Sequence, residues 1–137
     1  MLLFLCMSTK YKFNDDSKLY FVSFATVYWI DVFSRKLYRD LFIESLKYCQ
    51  QHKGMELYAY CIMTNHVHLI IGSESKSLSD IMRDLKKFTS YSITKAISES
   101  TNESRKEWML WMFERAGKRI SITKNTNSGN RIIIPLN

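Results

Sequence analysis

Proline is nearly absent from this chain, with one residue in 137, and glycine is scarce, with four. So little of either excludes collagen-like, low-complexity and linker-rich classes and leaves most of the length free for helices and strands. Cysteine is sparse too: Cys6, Cys49 and Cys61 are odd in number and lack any Cys-x-x-Cys spacing. That pattern excludes a disulfide framework or a zinc knot and points to reduced thiols in a cytoplasmic protein. Long apolar runs are missing. The opening MLLFLC is short and has neither a basic n-region nor a cleavage site, so it is no signal peptide and no membrane span. Met7 opens a polar segment directly afterwards, and the true start is expected there rather than at Met1. Acids are the minority charge, 13 against 20 Lys and Arg, for a net charge of +7. The excess favours a polyanionic partner without deciding the fold, and a merely solvated basic surface is the competing reading. With 46% hydrophobic residues, the chain can build one domain with a real core, and is too short for two.

What is present reads as an alternation of strands and helices. Residues 19–26 (LYFVSFAT) are aromatic and β-branched, as a strand requires. Residues 33–52 carry apolar side chains at Phe33, Leu37, Leu41 and Tyr48, an amphipathic helix ended by Lys53-Gly54. Residues 55–63 and 66–72 read as two strands joined by a tight turn at Thr64-Asn65. From Ser77 the 3.6-residue period returns, with Ser77 and Asp80 as a capping box. Leu78, Ile81, Leu85, Phe88, Ser92 and Ala96 form an apolar stripe, and Arg83, Lys86, Lys87, Ser90 and Thr94 a polar, basic one. Ser100 with Glu103 marks another capped start, leading to a short helix with Trp108, Trp111 and Met112 that is expected to stop at Gly117. The order β, α, β, β, α, α is that of an α+β sandwich, with helices packed on one face of a mainly antiparallel sheet.

The chain has three histidines, and two of them, His66 and His68, stand two residues apart in the apolar run YAYCIMTNHVHLIIG. On a strand they share one face, with Val67, Leu69 and Ile71 on the other. Two such imidazoles are either structural, hydrogen-bonded at a strand edge, or ligands to one divalent ion. An ion held by two histidines keeps open positions for a phosphate oxygen and would polarise a phosphodiester. A HIT-type phosphoesterase would need a third histidine where Ile70 stands.

The run YAYCIMTNHVHLIIG, the upstream YFVSFATVYWIDVF and the downstream LSDIMRDLKKFTS together resemble the single-tyrosine HUH transposases, more closely their insertion-sequence-derived and REP-associated branch. The resemblance implies a ferredoxin-like α+β domain, usually a homodimer, that binds single-stranded or hairpin DNA at transposon ends. It implies tyrosine attack on a phosphodiester with Mg2+ or Mn2+, and it maps the HUH pair onto His66 and His68. Arg83, Lys86 and Lys87 on the basic helix face are the candidate contacts to the DNA backbone.

The family carries its catalytic tyrosine on a later helix in a Tyr-Ile-x-x-Asn-like motif, and no tyrosine follows Gly117. The last one, Tyr91, lies upstream of that position and is read as a helix-surface or packing residue, so no catalytic residue is assigned. A frameshift near Asn127 is the expected cause. One nucleotide string encodes the family-like FWQQDNHPIE in one frame and SGNRIIIPLN, the last ten residues here, one base over. The expected organisation is therefore an incomplete HUH domain over 7–127 and an irregular tail over 128–137 that is foreign to the fold. The function expected is a transposase-like DNA-binding domain without its nucleophile. The alternatives are a non-catalytic nucleic-acid-binding module and the product of a decayed gene.

Overall fold

Large apolar residues at every second position of YFVSFAT turn one side of this strand into the core, and its neighbours in the sheet follow from that choice. The computed structural model describes residues 4–5, 13–122 and 132–135, with side chains over 13–119. Along these residues run β1 (Phe4–Leu5), β2 (Tyr20–Thr26), α1 (Lys36–His52), β3 (Met55–Ile62), β4 (His66–Ser73), α2 (Leu78–Glu99), α3 (Lys106–Ile122) and β5 (Ile132–Pro135). Between β2 and α1, two 3-10 turns occupy Val27–Trp29 and Val32–Ser34.

The sheet is antiparallel at every pairing, with β4 between β2 and β3. The other edge of β2 carries β1 opposite Ala25 and Thr26, and β5 opposite residues 20–23. The order β5-β2-β4-β3 with helical crossovers is the ferredoxin-like arrangement, so the α+β expectation holds. Ile132–Pro135, inside the tail expected over 128–137, pairs with β2, and so does Phe4–Leu5, ahead of the expected boundary at Met7.

Val22, Phe24, Val67, Leu69 and Ile71 join Phe42 and Leu46 of α1 and Ile81, Leu85 and Ile93 of α2 in one buried cluster. Both helices therefore cover the same face of the sheet. The phase of their stripes differs from the sequence reading. Helix α1 buries Tyr38, Phe42, Leu46 and Cys49 and leaves Leu37 53% exposed. Phe33 sits in its own 3-10 turn ahead of the helix and does not set the helical phase. In α2 the stripe is buried along its edge broadened by Met82 and Ile93, and continues to Ile97, while Ser92 and Ala96 are half-buried, since the larger aliphatics gain more from burial.

The ends of the elements differ in similar ways. Gly54 adopts φ +72° after α1, the left-handed conformation that a helix stop at this site needs. Ser77 occupies the cap position of α2 but makes no capping bond with its side chain; Asp16 Oδ1 accepts from the Leu78 amide at 3.0 Å instead. Helix α3 runs through Gly117 to Ile122, where a stop was expected. A helical glycine costs about 1 kcal/mol, which burial of Phe113 and Ala116 beside it offsets.

Candidate functional site

Strand β4 places Val67, Leu69 and Ile71 in the core and so turns His66 and His68 to the opposite side of the sheet, which among the described residues carries no helix. Their ring centroids are 4.9 Å apart, edge to face. Phe21 of β2 stacks on His68 at 5.4 Å, and Trp29 meets His66 edge-on at 6.1 Å. Phe21, His68, His66 and Trp29 thus form a continuous row of rings across this face.

Asn65 fixes one end of the pair. Its Oδ1 lies 2.7 Å from Nδ1 of His66, so that nitrogen carries the proton and donates it. Nε2 of His66 then keeps its lone pair, the usual way an outer hydrogen bond prepares a ligand histidine. Burial, reinforced by the neighbouring His66, holds the pKa of His68 below the ordinary histidine value and favours its neutral form. Nδ1 of His68 is buried and, among the described residues, has no hydrogen-bond partner, whereas a purely structural histidine is expected to be hydrogen-bonded. These features fit a divalent cation held by two imidazoles. Among the described residues no third His, Cys, Asp or Glu completes such a group.

The segment beside the pair is strained and heavily tied. Tyr28 and Trp29 both have positive φ, 53° and 56°, which costs non-glycine residues about 1–3 kcal/mol each. Thr26 Oγ1 donates to the Ile30 carbonyl at 2.6 Å and lies 3.0 Å from the Asn65 carbonyl. The Thr26 amide donates to that same Asn65 carbonyl, the Phe33 amide to the Thr64 carbonyl, and Asn65 Nδ2 to the Trp29 carbonyl. The loop after β2 is therefore stitched to the turn that delivers His66.

A buried carboxylate holds the far end of the loop. Glu103 keeps part of the expected capping box, its amide donating to Ser100 Oγ at 3.1 Å, while its carboxylate accepts from Arg35 at 2.7 Å, from Tyr38 at 3.0 Å and from Arg105 at 3.2 Å. Arg105 reaches Asp31 at 2.6 Å as well. Burial pushes the Glu103 carboxyl up, but hydrogen bonds from Arg105, Arg35 and Tyr38 outweigh it and hold the pKa at about 2. Burial and the Glu103 carboxylate push Tyr38 up to about 12.

The remaining sequence candidates lie elsewhere. Arg83, Lys86 and Lys87 belong to α2, in the helical layer, while the histidines face away from it. Arg83 is engaged by Asp80 at 2.7 Å and Asp84 at 3.5 Å; Lys87 is exposed. Tyr91 is 69% exposed on α2, and among the described residues no tyrosine hydroxyl bonds to either imidazole. Sequence reasoning missed Asn65, Trp29 and Glu103. Asn65 could have been found from its place directly before His66; Trp29 and Glu103 carry no local signal, because their partners are distant in sequence.

No curated protein matches the chain. A crystal structure from Deinococcus radiodurans R1, assigned as a transposase, is similar with a TM-score of 0.52 at 17% identity, covering 88% of this chain and 100% of that one. At that identity the likeness bears on the fold alone. The family model described as "Transposase IS200 like" matches residues 17–114, which spans both strands of the histidine hairpin, α1, α2 and the start of α3. The chain belongs to the IS200-like transposase family.

Proposed function

We propose that the helix-free face of the sheet binds single-stranded DNA and that His66 and His68 hold a divalent cation, Mg2+ or Mn2+, against its phosphodiester. The observation that carries this reading is the pair itself: two imidazoles 4.9 Å apart, one with its tautomer fixed by Asn65 and the other with a buried nitrogen unpaired. The cation, when bound, supplies Lewis-acid polarisation of the phosphate. The protein's own part is to hold the strand and keep the imidazoles neutral. Two ligands make a weak site, so the ion is held loosely. The described residues supply this holding function only, and the tyrosine nucleophile of the family is not among them. Hairpin transposon ends are the substrate class of this reading, within DNA transposition and recombination of a mobile element. Assembly as a homodimer belongs to it too: among the described residues β3 pairs with β4 alone, and its Tyr58 and Tyr60 are exposed. Two unpaired thiols, Cys49 and Cys61, suit the reducing cytoplasm, and no described helix is long and apolar enough to cross a membrane.

Calorimetric titration with Mn2+ tests the reading. The wild-type chain should give weak binding heats that the His66→Ala/His68→Ala protein lacks; equal heats in both reject the cation assignment. A second reading, DNA binding by the α2 face through Arg83, Lys86 and Lys87 without any metal, draws on the exposure of Lys87. It differs in being indifferent to Mn2+ and to the histidine substitutions.

A further inference from the structure

We infer that Trp29 is a DNA-binding residue: a stacking platform for the base next to the phosphate held at His66 and His68. This rests on the single-strand reading above and adds a residue that sets where the strand lies. Three observations converge on it. The indole is 49% exposed, as open as those of Trp108 and Trp111 on α3, and it alone of the three stands beside the histidines. Its ring stands 6.1 Å from the His66 ring, at the end of the row Phe21, His68, His66, Trp29. Its backbone is held at φ 56° directly after Tyr28 at φ 53°.

The third point separates a designed placement from a chance surface tryptophan. If the chain needed only to turn here, glycine or asparagine would adopt positive φ at little cost. A bulky aromatic in this conformation persists only because its surroundings over-determine it. Those surroundings are the Thr26 hydroxyl on the Ile30 carbonyl and the Asn65 amide on the Trp29 carbonyl. The same Asn65 side chain bonds the His66 ring, so one residue ties the backbone of Trp29 to the imidazole. The strained turn keeps the indole beside the histidines rather than in the core, half of it open to solvent. A half-open indole next to a phosphate-binding pair matches the chemistry of a nucleobase: an apolar π-face linked to a phosphate. Stacking of this kind is sequence-tolerant, because every base has a π-face.

The test compares a fluorescein-labelled oligothymidylate with an abasic strand of equal length and charge, by anisotropy in Mn2+ buffer. Wild type should prefer the thymidylate strand by about tenfold. Trp29→Ala should lose most of that preference with an unchanged salt slope, and Trp29→Phe should keep most of it. If wild type binds neither strand, the single-strand reading fails and Trp29 with it. If wild type shows the preference and Trp29→Ala retains it, Trp29 alone is refuted. A change in oligomeric state with the preference intact would likewise refute it and make Trp29 a contact between copies. Should Trp29→Ala fail to fold, Trp108→Phe/Trp111→Phe leaves Trp29 as the sole tryptophan of the three. Its fluorescence should then be quenched by the thymidylate strand and not by the abasic one; no quenching overturns the assignment.

Discussion

The side-chain amide of Asn65 is bound to the ring of His66, Oδ1 to Nδ1 at 2.7 Å, while its other end reaches the carbonyl of Trp29 at 3.4 Å. A residue outside the histidine pair thus sets the tautomer of one member and the position of the loop beside it. Outer-shell partners of this kind typically change metal affinity by about 10–100-fold. Asn65→Ala should weaken Mn2+ binding by at least about tenfold in a titration, with far-ultraviolet circular dichroism unchanged. Undiminished affinity would mean that His66 needs no such orientation.

Cation binding should also follow the protonation of His68. Burial lowers its pKa below 6.5, so the neutral, ligating form persists to lower pH than for a free imidazole. Protonation of His68 should therefore cost Mn2+ affinity at lower pH than for a free imidazole. Nuclear magnetic resonance titration of the His68 ring checks this, and a midpoint at or above the ordinary histidine value contradicts it.

The Glu103 cluster should be the acid-sensitive joint of the fold. Its carboxyl has a pKa of about 2 in the folded chain against an ordinary 4.5. A depressed carboxylate contributes stability that is complete above about 4.5 and is lost as pH falls through about 2. Glu103→Gln leaves Arg35 and Arg105 facing a neutral amide and should cost about 3 kcal/mol at neutral pH. Thermal melts of both proteins at pH 7 and pH 3 measure this, and the gap between them should narrow at the lower pH. A gap that stays constant would assign the loss to packing instead of charge.

Lys86 and Lys87 lie in the helical layer, away from the histidines. Lys86→Ala/Lys87→Ala should therefore leave the preference for thymidylate over abasic strands intact. If a hairpin stem docks on α2, the same protein should lose hairpin affinity, with the log–log salt slope flattened by about one unit per lost phosphate contact. Unchanged hairpin affinity and slope would make this face a solvated one.

Tyr91 projects from α2, in the helical layer, and is 69% exposed there. In-line attack demands a hydroxyl held at the metal-bound phosphate, and misplacement of the group is costly. Incubating the chain with a labelled hairpin oligonucleotide and Mn2+ should give no denaturation-resistant adduct that depends on Tyr91. An adduct that disappears in Tyr91→Phe would reverse this.

Periodicity alone determined a good part of this protein. The two-residue spacing of His66 and His68 puts both on one face of a strand, and Gly54 marks the end of α1. Such features depend on neighbours within a few residues, which is all that a local pattern records. The resemblance of YAYCIMTNHVHLIIG to a transposase strand likewise needed no coordinates. Tertiary structure decided the rest. It chose Tyr38 over Leu37 as the inward side of α1, because the phase depends on what the sheet presents. It joined the Glu103 carboxylate, which accepts from the Arg105 amide at its own helix start, to Arg35 and Tyr38 as well, since guanidinium groups and a phenol make strong bonds to a buried carboxylate. It laid Ile132–Pro135 along β2 and stitched Trp29 to the turn before His66. Each of these joins residues far apart in the chain, and their meeting depends on the packed whole rather than on any local preference.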